Sequence, residues 1–268
     1  MDGTVAIIGT GQLGGALLRG WVSSGAVPAS QLLCADPRRE VLDGLAQRLG
    51  VRTTTDNREA VGAADLVVLA VKPQVLPAVL PDVTAALGQG IPVVSLAAGV
   101  TLRTIEAGLP DGTPVIRVMS NTPVQVDRAM SVVAGGRDAT DAHLDLTASL
   151  LTPVGAVERL DEGHLDAVTA LSGSGPAYVF LVAEALIEAG VLQGLPRDVA
   201  SRLVHQTVLG AGTLLVEGEA SPTQLREAVT SPGGTTAAGL RALEDHAVRA
   251  ALLDAVDAAA SRSRALGG

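Results

Sequence analysis

Short apolar segments recur along the first half of the chain, and most are separated by stretches with helical periodicity. Continuous apolar runs such as Leu66–Ala70 are typical of parallel strands that are covered on both faces. The pattern predicts a βαβ series and a doubly wound α/β sheet. The predicted strands are Val5–Ile8, Leu32–Ala35, Val51–Thr53, Leu66–Ala70, Val93–Leu96, Val115–Val118, Ser131–Ala134 and Val154–Glu158.

The strand pattern stops near residue 160, and an all-helical pattern follows. Glycine and proline punctuate this part at the positions where helices usually end or begin. We therefore predict two domains, an α/β domain over residues 1–160 and an all-helical domain over residues 161–268. The predicted helices of the second domain are 162–171, 176–190, 197–217, 222–229 and 235–265.

The helices predicted over 176–190 and 197–217 carry apolar residues on more than one face. Helices that are apolar all round are buried, and five short helices cannot bury one another completely. A partner chain is the expected cover. The sequence thus predicts an obligate homodimer or a larger homo-oligomer.

Composition narrows the classes of function. The net charge of −9 disfavours nucleic-acid binding, which requires a basic face. Cys34 is the single cysteine and the four histidines show no ligand spacing, so we expect neither a disulfide nor a metal site. No uninterrupted apolar run reaches the roughly 18 residues of a membrane span, and no signal-type segment opens the chain. We expect a cytoplasmic protein that binds a small molecule.

The segment Gly9–Gly14 reads G-x-G-x-x-G, directly after one predicted strand and at the start of a predicted helix. In this context the glycines allow a tight turn, close approach of a pyrophosphate and close packing of helix on strand. The pattern indicates a Rossmann-type dinucleotide site. A tight turn without a ligand is the alternative interpretation.

The segment Asp36–Arg39 follows the second predicted strand, where a dinucleotide-binding domain contacts the adenosine ribose. Asp36 would accept hydrogen bonds from ribose hydroxyls and favour NAD. Arg38 or Arg39 could instead neutralise the 2′-phosphate of NADP. A solvated first helical turn is the alternative for the arginines, so the segment leaves the coenzyme open.

Three further segments end predicted strands at the edge where such sheets bind ligands. Lys72, the single lysine of the chain, and Pro73 follow the fourth strand. The small residues Ala97 and Ala98 follow the fifth strand and would let a nicotinamide lie close to the backbone. Asn121 follows the sixth. A surface position for the lysine and a plain turn around Asn121 remain alternatives.

The hexapeptide Ser231–Thr236 reads Ser-Pro-Gly-Gly-Thr-Thr within a helical, alanine-rich region. Its glycines can bring backbone N–H groups close to an anion, and its threonines could cap the following helix. A helix N-terminus presented in this way suits a carboxylate. The alternative is a helix–helix turn that ends in an N-cap.

The sequence shows no nucleophilic serine or cysteine with a histidine partner and no obvious carboxylate pair. Hydride transfer suits this absence, because the cofactor carries the chemistry and the protein orients it.

Six motifs together resemble the Δ1-pyrroline-5-carboxylate reductase family, whose members catalyse the last step of proline synthesis. The resemblance extends over nearly the whole chain, and the last two motifs in combination are the most specific. The motifs are Ile8–Leu13, Ala70–Pro73, Val94–Gly99, Arg117–Pro123, Leu171–Tyr178 and Ser231–Thr236.

The resemblance implies a Rossmann domain, an all-helical dimerisation domain and, in many members, a decamer built from dimers. It also implies NADPH or NADH as cofactor, pyrroline-5-carboxylate as substrate and a set of site residues. Together with the motif analysis above, the predicted cofactor-binding residues are Ile8, Gly9, Thr10, Gly11, Gln12, Leu13, Ala35, Asp36, Arg38, Asn57, Ala70, Val71, Lys72, Pro73, Ala97, Ala98, Asn121 and Glu162. The predicted substrate-binding residues are Glu219, Ser231, Gly233, Gly234, Thr235 and Thr236, and Thr236 is also the predicted catalytic residue.

Two departures from the family pattern stand out. Ser120 occupies a position where many bacterial members carry proline. The segment Asp36–Arg39 differs from the Asn-Arg or Ser-Ser sequences that accompany NADPH use, so Asp36 leaves NADH open although the family leans toward NADPH.

Two other functions compete with this interpretation. A 3-hydroxyacid dehydrogenase would share the two-domain layout, but it needs a general base and the helical domain has no lysine. A dinucleotide-sensing protein without turnover would keep Gly9–Gly14 and would not need the Ser231–Thr236 loop.

Overall fold

The computed structural model describes residues 3–267 in two compact units. The first unit contains the chain up to Ser174 together with the helical end that starts at Ala259, and the second is Gly175–Ala258. The predicted ranges 1–160 and 161–268 include residues 1, 2 and 268, which lie outside the described residues. The first unit extends to Ser174, fourteen residues beyond the predicted boundary at residue 160. Leu165 and Ala170 lie in this added stretch and are fully buried. The domain ranges themselves stay a prediction.

The first unit alternates strands and helices in the predicted way. All eight predicted strands are confirmed, with every end within two residues of the expected position. The elements in chain order are β1 Val5–Ile8, α1 Gln12–Ser24, β2 Leu32–Ala35, α2 Arg39–Leu49, β3 Arg52–Thr54, α3 Asn57–Gly62, β4 Leu66–Leu69, α4 Leu76–Ala86, β5 Val93–Ser95, α5 Leu102–Glu106, β6 Val115–Met119, β7 Ala129–Gly135, α6 Asp141–Leu151, β8 Gly155–Arg159 and α7 Leu165–Val168.

The strands form one sheet in the order β3-β2-β1-β4-β5-β6-β7-β8. The first six strands are parallel and have the doubly wound order, which confirms the predicted fold class. The expectation of a parallel sheet fails at β7, which pairs antiparallel with β6. The short 3₁₀ segment Thr122–Val126 joins these strands, whereas a parallel pair would need a crossover of a dozen or more residues.

The sheet separates two apolar clusters, since successive strand residues point to opposite faces. Val5 and Ile7 belong to one cluster, and Ala6 and Ile8 belong to the other. Trp21 of α1 is fully buried in the first cluster, and its indole Nε1 donates a hydrogen bond of 2.5 Å to the carbonyl of Leu150. This bond satisfies the ring's polar group inside the core.

The single helix predicted over 162–171 is irregular. It consists of a 3₁₀ turn at Glu162–His164, the short helix α7 and a π-helical turn at Thr169–Gly173. The amide of Ser174 donates to the carbonyl of Thr169, which is the wider hydrogen bond of a π turn. A Cβ on Gly173 would lie 2.3 Å from Cε of Met119, so this turn packs directly on the end of β6.

The helices that involve the second unit are α8 Gly175–Leu192, α9 Arg197–Glu217, α10 Pro222–Ala228, α11 Thr235–Asp245 and α12 Val248–Gly267, whose end from Ala259 belongs to the first unit. The prediction of one helix over 235–265 is wrong. Ala247 adopts a left-handed φ of 53°, which ends α11 and starts α12, and Nε of Arg249 bonds Oε1 of Glu244 across the break at 2.6 Å. No glycine or proline marks this break in the sequence.

Large apolar side chains lie exposed on α8 and α9 of the single chain, among them Phe180, Leu181, Leu209 and Leu215. The helical run Glu162–Leu192 also has the length and apolar composition that a membrane crossing would require. The core helix of an oligomer meets the same two criteria.

We predict that Gly20→Ala destabilises the first unit. A Cβ at Gly20 would lie 2.1 Å from Cγ1 of Val154, whereas the nearest atom to a Cβ at Gly15 is 3.5 Å away. Both glycines lie in α1, so alanine brings the same gain in helix propensity at each. Overpacking of a core costs about 1–3 kcal/mol. Thermal denaturation should therefore give a lower Tm for Gly20→Ala than for Gly15→Ala, and equal values would contradict the packing described here.

Candidate active site

Four neighbouring strands end together at one edge of the sheet. In the strand register Ile8 is level with Ala35 and with Leu69, and Leu69 is level with Ser95. The order of the strands reverses between β1 and β4, and open α/β sheets bind ligands at this switch point. The loops that follow β1, β2, β4 and β5 hold most of the predicted cofactor-binding residues.

The loop between β1 and α1 is tightly constrained. Gly9 has a φ of 94°, and its amide donates to the carbonyl of Ala35 at 2.8 Å. A Cβ on Gly14 would lie 2.2 Å from the carbonyl oxygen of Gly9, so only glycine permits this approach of helix to strand. The first and third glycines of the motif thus have the structural roles that the sequence predicted.

The middle glycine of the motif leaves space. A Cβ on Gly11 would meet no atom within 4 Å, and Gly11 caps α1 without a side-chain hydrogen bond. The first-turn amides of α1 are therefore open toward an anion, as a pyrophosphate requires. Gln12 is exposed and Leu13 packs partly against the core. Ile8 is 1% exposed within β1, which leaves only its backbone for a ligand.

Asp36 is 3% exposed and is surrounded by hydrogen-bond donors. Its Oδ2 accepts from the amide and the hydroxyl of Thr10, at 3.0 and 2.9 Å, and from Nη2 of Arg38 at 2.9 Å. Its Oδ1 accepts from Nε and the amide of Arg38, at 2.8 and 3.1 Å. Burial opposes ionisation, but the bonds from Arg38 and Thr10 outweigh it and hold the pKa of Asp36 well below its ordinary value.

The turns after β4 and β5 lie beside this loop in the sheet order. The amide of Ala70 donates to the carbonyl of Ile8 at 2.8 Å, which fixes the segment Ala70–Pro73 next to Gly9. Lys72 is exposed, and its carbonyl accepts from the amide of Val75 at 2.9 Å. After β5, Ala97 is buried and Ala98 is exposed at the same edge.

Three further predicted cofactor-binding side chains, in addition to those of Thr10, Asp36 and Arg38, have partners within the protein. Nδ2 of Asn57 donates to Asp82 at 3.3 Å. Asn121 donates to the carbonyl of Ser172 at 3.0 Å and accepts from the amide of Met130 at 2.9 Å. These bonds give both side chains a structural role, and direct contact with a cofactor stays a prediction.

Glu162 is the third of these side chains. Its Oε1 accepts from Nη1 of Arg117 at 2.8 Å and from the amide of Leu102 at 2.6 Å, so it caps α5 and neutralises a buried arginine. The sequence reasoning missed the role of Arg117, which is 6% exposed. A lone arginine in the otherwise apolar strand β6 was the available signal.

In the second unit, Ser231–Gly234 form a β-turn. The amide of Gly234 donates to the carbonyl of Ser231 at 3.0 Å, and Gly233 has a φ of 66°. Proline followed by a glycine with positive φ is the pattern of a type II turn. A Cβ on Gly234 would lie 2.4 Å from Oγ of Ser231, so this glycine permits the close turn.

The expectation that a threonine caps the next helix is wrong. Gly234 is the N-cap of α11 and has no side-chain bond, while Thr235 and Thr236 are the first two helical residues. A Cβ at this capping position would require the Ser231 side chain to move. The first intrahelical bond runs from the amide of Ala238 to Gly234, so the three preceding amides are free of intrahelical partners. Glu219 is exposed in the connection between α9 and α10.

Burial raises the pKa of Cys34 to about 12, which keeps this thiol protonated and unreactive. Within residues 3–267, no three His, Cys, Asp or Glu side chains converge as metal ligands would.

Two family models match separate parts of the chain. Residues 162–266 match the family model for pyrroline-5-carboxylate reductase dimerisation. Residues 4–99 match a model described as NADP oxidoreductase, coenzyme F420-dependent.

Relatives match over nearly the whole chain. The pyrroline-5-carboxylate reductase of Methanosarcina acetivorans is 41% identical over 98% of this chain and 97% of its own length. The enzyme of that name from Corynebacterium melassecola is 42% identical over 98% of both chains.

Solved structures agree with these sequence matches. A pyrroline-5-carboxylate reductase from Coxiella burnetii superposes with a TM-score of 0.95 at 36% identity over the full length of both chains. The Plasmodium falciparum pyrroline carboxylate reductase, solved with NADP bound, gives 0.88 at 28% identity, over 100% of this chain and 99% of its own. A 3-hydroxyisobutyrate dehydrogenase from Mycobacterium tuberculosis shares the fold alone, with a TM-score of 0.52 at 20% identity over 72% of this chain and 67% of its own.

The resemblance inferred from the six motifs is thereby confirmed by relatives that exceed 40% identity over 98% of the chain. The chain belongs to the pyrroline-5-carboxylate reductase family.

Proposed function

We propose that this protein reduces pyrroline-5-carboxylate to L-proline with a nicotinamide dinucleotide, the last step of proline synthesis. The observation that carries the proposal is the match over 98% of the chain to relatives named for this reaction. The open space at Gly11 and the uncapped N-terminus of α1 fit a dinucleotide at the sheet edge.

The first unit would hold the cofactor. The first-turn amides of α1 would bind its pyrophosphate, and the small residues Ala97 and Ala98 would let the nicotinamide approach the end of β5. When bound, the reduced nicotinamide supplies the hydride. The protein's contribution at this edge is position, because Gly9 and Gly14 fix the loop to the strand.

The second unit would hold the substrate. The amides of Thr235, Thr236 and Ala237 begin α11 without intrahelical acceptors, and the positive end of the helix dipole favours an anion there. We assign the substrate carboxylate to these amides. Reduction adds a hydride to C5 of the cyclic imine and a proton to its nitrogen. The hydroxyl of Thr236, or a water that it orders, is the proposed proton donor.

The 3-hydroxyacid dehydrogenase reaction is less well supported. It requires a general base for the hydroxyl proton, and Lys72, the single lysine, lies in the first unit at the end of β4. A dinucleotide sensor without turnover would leave the turn Ser231–Gly234 and the open N-terminus of α11 without a purpose.

We expect the purified protein to oxidise NADPH, NADH or both when pyrroline-5-carboxylate is added. The loss of absorbance at 340 nm measures the reaction, and L-proline must appear in equal amount. A reaction without pyrroline-5-carboxylate is the control for background oxidation. If neither coenzyme is oxidised, the enzymatic function proposed here is wrong.

We predict that Thr236→Val lowers kcat/KM for pyrroline-5-carboxylate by roughly ten- to a thousand-fold, the usual effect of losing one positioned transition-state donor. Valine keeps the shape of the side chain and removes the hydroxyl. Thr236→Ser keeps the hydroxyl and should retain most of the activity. Steady-state kinetics of the two variants separate chemistry from packing. Equal rates for Thr236→Val and the natural protein would remove Thr236 from the mechanism and leave the carboxylate site intact.

We further propose a cytoplasmic homodimer that assembles into a decamer. The exposed apolar faces of α8 and α9 and the match to a dimerisation model support self-association. Sedimentation equilibrium should give no species at the chain mass of 26.9 kDa at micromolar concentration. A stable monomer would contradict the dimer, and a dimer that does not associate further would contradict only the decamer.

A further inference from the structure

The carboxylate of Asp36 has no free capacity for a ligand. It accepts five hydrogen bonds, two at Oδ1 and three at Oδ2, and all come from Thr10 and Arg38. A carboxylate offers about four lone-pair sites. An acid in this position after β2 normally accepts hydrogen bonds from the ribose hydroxyls of NAD. Here that role is already taken by the protein's own donors.

The same bonds fix the direction of Arg38. Nε and Nη2 of its guanidinium bind the two carboxylate oxygens of Asp36 as a fork, and the amide of Arg38 bonds Oδ1 in an Asx-turn across Pro37. Because three bonds and a proline define this turn, the guanidinium is held before any ligand arrives. Such preorganisation reduces the entropy that binding costs.

Arg38 nevertheless remains available. Its side chain is 59% exposed, whereas that of Asp36 is 3% exposed. Nη1 of Arg38 makes no bond to Asp36, so it can donate outward. The charge of the buried carboxylate is compensated by Arg38 and by the Thr10 amide and hydroxyl.

We propose that Asp36 is a positioning residue that aims Arg38 at the 2′-phosphate of the cofactor, so that this chain selects NADPH over NADH. The inference rests on the proposed function, and it reverses the role that the sequence alone suggests for Asp36. A free acid at this position repels a 2′-phosphate, whereas an acid bound to Thr10 and Arg38 holds the group that attracts one.

Isothermal titration of the protein with NADP⁺ and with NAD⁺, in the absence of substrate, tests the proposal. The quantity compared is the ratio of the two dissociation constants, Kd for NAD⁺ over Kd for NADP⁺. We expect a ratio of roughly 10 to 150, the range that corresponds to one charged hydrogen-bonded contact. A ratio of one or less would overturn the proposal and leave the reductase function untouched. Failure to bind either dinucleotide would instead overturn the proposed function.

Asp36→Asn separates the two roles of the acid. The asparagine amide would direct N–H donors at Thr10 or at Arg38, so the hydrogen bonds to one of these two residues are lost. The ratio of the Kd for NAD⁺ to the Kd for NADP⁺ should therefore fall at least about fivefold. If Asp36 repelled the 2′-phosphate, the same substitution would tighten NADP⁺ and raise the ratio. A raised or unchanged ratio therefore contradicts the positioning role.

Arg38→Ala removes the proposed phosphate partner and frees the Asp36 carboxylate, so the ratio should fall to one or below. Arg39→Ala is the matched control, since Arg39 lies next in the chain and does not bond Asp36; its ratio should stay within about threefold of the natural value. If Asp36→Asn does not fold, Arg38→Lys decides instead. Lysine keeps the charge without the fork. A ratio that falls at least fivefold supports the positioning by Asp36, and an unchanged ratio contradicts it.

Discussion

The close approach of α1 to β1 is the constraint on which the site depends. Gly14 lies so near the carbonyl of Gly9 that no side chain fits between them. This contact directs α1 back across the sheet, where Trp21 fills the core and Gly20 meets Val154. Gly11 in the same loop is the N-cap of α1 and offers no side-chain acceptor to the first-turn amides at the sheet edge. The glycines of one loop thus serve both the packing of the core and the open first turn of α1.

Polar contacts extend this constraint to the next strand. Asp36 joins the β1–α1 loop, through Thr10, to the start of α2, through Arg38. A buried carboxylate needs such donors, since an unpaired charge in the interior would be strongly unfavourable. The network therefore has a structural role of its own, and the proposed positioning of Arg38 rests on the same bonds.

Much of this arrangement could be predicted from the sequence. Buried strands are continuous apolar runs, so all eight strands were found, and the G-x-G-x-x-G motif located the loop. The reversed direction of β7 was missed because apolar periodicity does not encode strand direction. The break at Ala247 was missed because a left-handed alanine is held by surrounding structure and not by its own preference.

In the candidate site, too, some features could be predicted from the sequence and others could not. Residue types identified Asp36, Arg38 and the Ser231–Thr236 segment as candidates, yet the chain alone could not tell which donors Asp36 would meet. The choice between ribose acceptor and positioning residue depends on the geometry of Thr10 and Arg38. Likewise, the threonines were the expected caps of α11, and the fold instead uses Gly234, at the close of the turn that begins at Ser231.

In the isolated chain, helices of the second unit leave large apolar side chains such as Phe180 and Leu209 exposed to water. Burial of such side chains is worth about 1.5–3 kcal/mol each, so their exposure opposes a stable monomer. A lipid bilayer or a second chain could cover them. The run Glu162–Leu192 satisfies the length and composition of a membrane helix, but it lies within the residues that match a dimerisation model. A second copy presents the same apolar faces and covers them by symmetry. The turn Ser231–Gly234 lies in this unit between α10 and α11, so an obligate dimer would couple the stability of that turn to the partner.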